Sequence, residues 1–309
     1  HDGECLAETA RAPDPDLVAS IYEAGVVPER WPDVLHSLAL EAGAQAAALV
    51  SQRPGNLLFT ASERYREGFT AFAANASRYD NPRPRRSLDV APGGFSSDLE
   101  LCSPEELAAD PIYLDFLYPH GLTHTSGTAI PVPSGDLIIF DVAREPQAGP
   151  FGRADMQVLD SYRPHLARAA LMATRLGLER ARAAAAALEA IGLPAVVLAA
   201  DGVVLAANPL FEALAPRVVF AAYGKVALAD RNANVLLLEA LNGVASDLGP
   251  APRSIPVPAA RDKPALVAHL VPLRREAHDI LAAAASMLVV TVVRAPQFPM
   301  TELLHGLFD

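Results

Sequence analysis

The sequence predicts an α+β protein with two antiparallel-sheet domains joined by a long connector helix. A helical pattern from Phe151 to Ile191 occupies the middle of the chain. Before it, helices alternate with two pairs of strands, and after it two strands and helices precede three further strands. Paired strands with intervening helices, without a regular strand–helix–strand alternation, favour antiparallel sheets packed against helices.

The connector helix carries a predicted dimer seam. Read at steps of three and four residues, one face is apolar or aromatic over Leu159, Tyr162, Leu166, Ala169, Ala173 and Leu176, and alanines extend it to Ala190. Small residues let two helices approach closely, so we predict a parallel homodimer. The alternative is an amphipathic helix packed on its own domain. Pro164 has no N–H for the helical ladder and predicts a kink or a helix start.

Composition restricts the compartment and the partners. The 309 residues are 51% hydrophobic, and their net charge of −11 gives no sign of nucleic-acid binding by this chain. Two cysteines, Cys5 and Cys102, suit a reducing cytoplasm better than a secreted scaffold. The longest apolar run, 280–293, has 14 residues and is too short to cross a bilayer. Because the chain begins with His1, we expect part of the protein to lie beyond one of its ends.

The first domain is predicted to place helices on a sheet made from two strand pairs. Turn residues and apolar runs set the element bounds, and the single tryptophan, Trp31, is expected to anchor the core between two helices. The predicted elements are helices 16–24, 33–42 and 64–76, strands 44–51 and 57–61, an irregular stretch 78–94, a helix from Pro104 through Phe116, and strands 122–131 and 137–144.

Aromatic residues in this domain suggest a ligand cavity. Nine Phe and Tyr residues fall between Phe59 and Tyr118. Ligand pockets are mostly apolar and aromatic with a few polar groups, which Thr125 and others here would supply. The candidate ligand residues are Tyr65, Phe69, Phe72, Tyr79, Tyr113, Phe116, Tyr118, His120 and Thr128. The alternative is that helices packed on a sheet simply need large side chains.

The second domain shows the same class of pattern with fewer aromatic residues. Asp201-Gly202 is typical of a tight hairpin turn, and Asn208-Pro209 of a helix start. The filling residues are Val, Leu and Ala, so we expect a large ligand less here than in the first domain. The predicted elements are strands 195–199, 203–207 and 226–228, helices 209–214 and 232–242, and strands 253–258, 266–273 and 287–293, with a polar turn over 274–285.

Motifs for catalysis or cofactor binding are missing from the sequence. It has no Gly-rich phosphate loop and no Gly-x-Ser-x-Gly elbow. His120 and His124 stand four apart, but no cysteine pair or zinc-binding helix accompanies them. We therefore expect no metal, no cofactor and no enzymatic activity.

Several segments resemble the sensory region of bacterial LuxR-class transcription regulators. The stretch from Pro28 to Leu35 is similar to the opening of a GAF-type sensory domain, and 151–169 to the motif that closes it and begins the signalling helix. The stretch 193–208 resembles the start of a PAS-type domain. The closing residues 301–309 resemble the lead-in to a DNA-binding helix-turn-helix.

This resemblance implies a division of the chain and a role. Residues 1–14 would be a loose lead-in, 15–152 a GAF-like domain, 153–191 the connector, 192–296 a PAS-like domain, and 297–309 the lead-in to a DNA-binding domain absent from this chain. The implied function is cytoplasmic ligand sensing by a homodimer that contacts DNA only through the absent domain. No family ligand residue can be matched, so the small molecule is not identified.

The sequence is also compatible with two other functions. A dimerisation and protein-interaction module with filled interiors would show no stabilisation by ligands. An enzyme of unfamiliar type would need titratable groups converging in a cleft. In sequence only Tyr118, His120 and His124 lie close enough together to suggest such a site.

Overall fold

The computed structural model describes residues 12–53, 56–76, 79–133, 135–221, 224–245, 251–260, 263–273, 280–281 and 284–293. The chain forms two compact units, one of residues 1–177 with 275–283 and one of 178–274 with 284–309. Each unit has its own antiparallel sheet, which confirms the α+β class. None of the described helices is both long and apolar enough to cross a membrane.

The first unit is built on a five-stranded sheet. Its strands are β1 (Ala46–Arg53), β2 (Asn56–Ala61), β3 (Ser96–Ser97), β4 (His124–Pro131) and β5 (Leu137–Arg144). They lie in the order β2-β1-β5-β4-β3, and every neighbouring pair is antiparallel. Alternate residues of a strand point to opposite faces, so each strand contributes to two separate cores.

One face of this sheet is covered by α1 (Pro15–Ala24), α2 (Trp31–Glu41) and the first part of α7 (Arg153–Ala190). Asp14 caps α1, because its side chain accepts a hydrogen bond from the Asp16 N–H. Trp31 is buried against Phe140 of β5, with 5.6 Å between the ring centroids. The expected role of Trp31 as a core anchor is confirmed.

The opposite face is covered by α3 (Glu63–Asn75), α4 (Arg83–Val90), the short helices α5 (Asp98–Leu101) and α6 (Pro104–Ala109), and a π-helical turn at Tyr113–Leu117. Phe69, Phe72 and Phe116 pack here against Val50 of β1. The first unit therefore has three layers: helices, sheet and helices.

Two element predictions in this unit are wrong. The stretch 78–94, expected to be irregular, contains α4; Pro84 sits in its first turn, where a missing N–H costs nothing. The helix starting at Pro104 stops at Ala109 because Pro111 cannot continue its ladder, and a π-helical turn follows.

The long helix α7 is continuous over Arg153–Ala190, so Pro164 does not start it. Four residues of the predicted dimer seam, Leu159, Tyr162, Leu166 and Ala169, are at most 1% exposed and lie in the first unit's core. They cannot contact a second chain while this packing holds, so the seam is wrong for them. Of the predicted seam, only Ala173 and Leu176 are partly exposed.

The second unit repeats the strand order of the first. Its strands β6 (Ala195–Ala199), β7 (Val204–Ala207), β10 (Arg253–Val257), β11 (Leu266–Pro272) and β12 (Ala284–Val292) lie in the order β10-β11-β12-β6-β7. Numbered within its own sheet, each unit reads 2-1-5-4-3. The remaining described elements are helices α8 (Pro209–Glu212) and α9 (Arg231–Ala245) and a hairpin of β8 (Val218–Phe220) and β9 (Val226–Leu228).

Local sequence explains much of this second unit. Asn208 caps α8 by accepting from the Phe211 N–H, and its amide donates to the carbonyls of Ala185 and Leu193. Strand β9 lies at the predicted bounds, whereas its partner β8, also three residues long, is not among the predicted elements. Residues 1–11 of the lead-in, most of the turn 274–285 and the closing 297–309 lie outside the described residues.

Candidate ligand-binding cavity

A cavity of about 540 Å³ lies between the sheet of the first unit and the helical layer of α3 and α4. Small-molecule sites in proteins commonly have volumes of roughly 300–1,000 Å³. The strands supply the floor, which includes Val50, Leu57, Gly127 and Ile139. The helices supply the wall that faces them.

The helical wall of the cavity is aromatic. Phe116 is stacked on Tyr65, with 5.6 Å between the ring centroids, and it meets Phe72 at 5.2 Å. Phe69 contacts both Tyr65 and Phe116 edge-on, at 5.1 and 5.6 Å. Tyr79 stacks on Phe72 at 5.6 Å. Such rings offer a large apolar surface to a ligand at little cost in side-chain entropy.

The structure brings six of the nine predicted ligand residues to this cavity: Tyr65, Phe69, Phe72, Tyr79, Phe116 and Thr128. The other three do not line it. Tyr113 is buried behind the wall, and Tyr118 is 42% exposed and packs on the Tyr113 ring. His120 is held by a 2.7 Å hydrogen bond to the Phe116 carbonyl.

Two predicted polar residues of β4, Thr125 and Thr128, line the cavity. Four further polar residues of the lining were not predicted: Arg83 at the start of α4, Ser96 in β3, Asp98 at the start of α5, and Asp141 in β5. Sheet pairing places Ser96 opposite Gly127 and Gly127 opposite Asp141, so the three residues form a row across β3, β4 and β5. A Cβ at Gly127 would lie 3.2 Å from the Phe140 carbonyl oxygen, so glycine avoids a tight contact in this row.

Asp141 and Tyr65 form one polar pair. The Tyr65 hydroxyl donates to Asp141 Oδ2 at 3.1 Å. Burial raises the pKa of Asp141 to about 7, although Arg83 and the Tyr65 hydroxyl act to lower it. Burial, followed by the charge of Asp141, holds the pKa of Tyr65 well above its ordinary value. The Asp141 carboxyl therefore exists in both protonation states near neutral pH.

Asp98 is the centre of a second, saturated network. Its Oδ2 accepts from the Tyr113 hydroxyl at 2.7 Å and from the Thr125 N–H at 2.9 Å, and its Oδ1 accepts from the Leu99 N–H. Three donors compensate this buried carboxylate. The arrangement fixes strand β4 to the start of α5.

One hydroxyl in the wall, the buried Ser96 Oγ, lacks a hydrogen-bond partner. The Arg83 side chain is 11% exposed, lies over the Tyr113 ring, and forms an ion pair with Asp110, with 3.2 Å between Nη1 and Oδ2. A buried polar group left without a partner costs roughly 1–3 kcal/mol, so a ligand that accepts from the Ser96 hydroxyl gains affinity.

No arrangement of three or more His, Cys, Asp or Glu side chains suited to a metal occurs among the described residues. The Cys102 thiol is free and buried, and burial raises its pKa. It accepts a 3.4 Å contact from Arg86 Nη1 at the end of α5.

No family model and no curated protein matches this chain. Among solved structures it is similar to the VqsR LBD domain from Pseudomonas aeruginosa, with 17% identity, a TM-score of 0.42, and coverage of 52% of this chain and 94% of that one. It is also similar to the N-acylhomoserine lactone dependent LuxR family transcription factor CepR2 from Burkholderia cenocepacia, with 14% identity, a TM-score of 0.40, and coverage of 52% and 96%. SdiA from Escherichia coli follows at 14% identity, a TM-score of 0.34, and coverage of 51% and 68%.

Proposed function

We propose that the first unit binds a small organic molecule and forms the ligand-sensing part of a LuxR-class transcription regulator. The observation that carries this proposal is the cavity of about 540 Å³ with an aromatic wall and a buried Ser96 hydroxyl that lacks a partner. A filled interaction module offers no such space. The regulator role rests on the GAF-like, PAS-like and helix-turn-helix lead-in motifs, and the strand order common to both units supports two related sensory modules.

We propose no catalytic role for the cavity. Its buried carboxyl groups Asp141 and Asp98 are occupied, as Tyr65 donates to Asp141 and Tyr113, behind the wall, donates to Asp98. These pairs hold the walls together and leave neither partner positioned as a separate nucleophile or base.

The charges around the cavity favour an uncharged ligand. Charged side chains of both signs line the cavity, namely Arg83 and Arg85 and the acids Asp80, Asp98 and Asp141. A carboxylate ligand would face the three acids, and an ammonium ligand would face the two arginines. A neutral head group with an acceptor oxygen satisfies the Ser96 hydroxyl without adding charge, and its apolar body packs on Phe69, Phe72 and Phe116.

Three naphthalene probes test this choice, because they share one apolar body. At pH 7.5 we expect 1-naphthamide to bind about tenfold or more tightly than anionic 1-naphthoate or cationic 1-naphthylmethylamine, since each charged head meets a like charge in the wall. Titration calorimetry on the full chain measures all three. Tightest binding by a charged probe would overturn the head-group assignment, and binding by none would overturn the cavity as a ligand site.

A filling variant localises the bound probe. Leu57 lies in the cavity floor, so Leu57→Trp should occupy the space and weaken 1-naphthamide binding by about tenfold or more. The matched control is Leu40→Trp, which adds the same ring to a side chain 61% exposed on α2, away from the cavity. Equal affinity in both variants would place the probe elsewhere.

We also propose that the chain is a homodimer through the second part of α7. Ala183 and Ala187 extend the predicted apolar face and are exposed, whereas Ala181 and Ala185 pack within the second unit. The double variant Ala183→Glu/Ala187→Glu should convert a dimer into a monomer, as measured by light scattering. Thr70→Glu, an exposed position on α3, controls for added charge. A wild-type monomer, or a dimer that survives both glutamates, would reject this interface.

A further inference from the structure

Helix α7 contacts the sheet edge formed by β3 and β4, and residues of both strands line the cavity. The cavity and α7 lie on opposite faces of the sheet, because Phe69 and Phe116 belong to one core and Leu159 and Leu166 to the other. A change in cavity occupancy must therefore cross the sheet to reach this helix. Two hydrogen bonds at the β3–β4 edge, from Arg163 to Thr128 and from Phe95 to Asp160, provide that crossing.

The first connection joins Arg163 to Thr128. Arg163 Nε donates to Thr128 Oγ1 at 3.1 Å, and Thr128 is a buried cavity-lining residue of β4. Since the hydroxyl oxygen accepts from the guanidinium, its own proton is available to another acceptor. Thr128 therefore contacts both the helix and the cavity wall.

The second connection joins Asp160 to the start of β3. The Phe95 N–H donates to Asp160 Oδ1 at 2.7 Å, and the next residue, Ser96, lines the cavity with its unpartnered Oγ. A side chain at Gly94 would come within 3.3 Å of Asp160 Oδ1, so this segment lies directly against the helix. Burial raises the pKa of Asp160, while the Phe95 N–H and Arg163 act to lower it.

Strand pairing links the two connections. Ser96 is paired with Gly127, the residue before Thr128, so a displacement of β3 displaces Thr128 as well. We propose that ligand occupancy is transmitted to α7 through this edge, with Asp160 and Arg163 as positioning residues. This inference rests on the proposed ligand-binding function. A ligand that accepts from Ser96 Oγ fixes β3 and, with it, the hydrogen bonds to both helix residues.

Hydrogen–deuterium exchange of the full chain, followed by mass spectrometry with saturating 1-naphthamide, tests the transmission. In the wild type, we expect exchange in peptides covering 156–166 to slow at least threefold when the probe binds. Asp160→Ala and Arg163→Met change side chains that do not line the cavity, so both should bind the probe within threefold of wild type and lose this response. Arg168→Met removes an exposed cation on the same helix and should retain both binding and response.

The outcomes separate the two proposals. If the wild type binds the probe but its helix exchange does not change, the transmission is wrong and the ligand site stands. The same holds if both Asp160→Ala and Arg163→Met keep the full response. If 1-naphthamide does not bind the wild type, the ligand site fails, and the transmission fails with it. A purely structural role for Asp160 and Arg163 would change exchange equally with and without the probe, and that result would also overturn the transmission.

Discussion

Replacing Arg144 with methionine is expected to lower the free energy of unfolding of the first unit by about 3 kcal/mol. Arg144 is buried at the end of β5, and its guanidinium lies 2.7 Å from the Asp155 carboxylate on α7. It also donates to the carbonyls of Ala42 and Pro150 and covers the Phe151 ring at 4.0 Å. The variant leaves Asp155 and the Ala42 carbonyl without their partner.

The charge of Asp155 makes the stability loss in Arg144→Met depend on pH. Burial acts to raise the pKa of Asp155, but Arg144 and the Gly152 N–H together lower it below its ordinary value. A carboxyl whose pKa is lower in the folded chain than in the unfolded chain stabilises the fold at pH values above the unfolded-state pKa. That contribution is lost as the pH falls through the folded-state pKa. The difference between wild type and Arg144→Met should therefore shrink below about pH 4.

Trp31 makes the measurement specific to the first unit, because it is the sole tryptophan and is buried there. Urea unfolding followed by its fluorescence gives the free energy for each variant. Arg64→Met is the matched control: its ion pair with Glu145 has side chains 52% and 38% exposed, so we expect a loss under about 1 kcal/mol. An equal loss of unfolding free energy in both variants would show that the buried Arg144 pair contributes no more to stability than the exposed Arg64 pair.

The fold was largely predictable because its signals are local. The strand pair expected at 44–51 and 57–61 is observed at Ala46–Arg53 and Asn56–Ala61, since apolar runs flank a Pro-Gly-Asn turn. Helix α4 was hidden because Pro82, Pro84 and Pro92 suggested a loop. A proline in the first turn of a helix gives the same local signal as a proline in a loop.

The predicted dimer seam shows a different limit. An apolar stripe at helical spacing must be buried, but the stripe does not specify what buries it. For Leu159 to Ala169 the partner is the chain's own α1, α2 and sheet. That partner is distant in sequence, and this packing is the alternative to the dimer seam, an amphipathic helix packed on its own domain.

The aromatic wall of the cavity was predictable, together with Thr125 and Thr128, but the charged residues and Ser96 were not. Aromatic residues cluster in sequence because α3 and the π-helical turn carry them, so Tyr65, Phe69, Phe72 and Phe116 could be grouped by pattern. The remaining polar residues depend on strand register: Ser96, Gly127 and Asp141 become neighbours only when β3, β4 and β5 pair. A two-residue strand such as β3 gives no periodic signal.

Asp141→Asn is expected to remove a stability change of roughly 2–4 kcal/mol that the wild type undergoes between about pH 4 and pH 8. Burial raises the folded-state pKa of Asp141 to about 7, well above the 3.8 of an unperturbed carboxyl. Between these values the folded chain binds more protons than the unfolded chain. Stability from this group is therefore complete at low pH and lost as the pH rises through 7.

The difference in unfolding free energy between wild type and Asp141→Asn, followed through Trp31 fluorescence at each pH, isolates this group from all others that titrate. Tyr65→Phe should raise the pH at which the stability from Asp141 is lost. The Tyr65 hydroxyl lowers the pKa of Asp141, so removing it raises that pKa. A difference independent of pH would mean that Asp141 stays ionised in the folded chain.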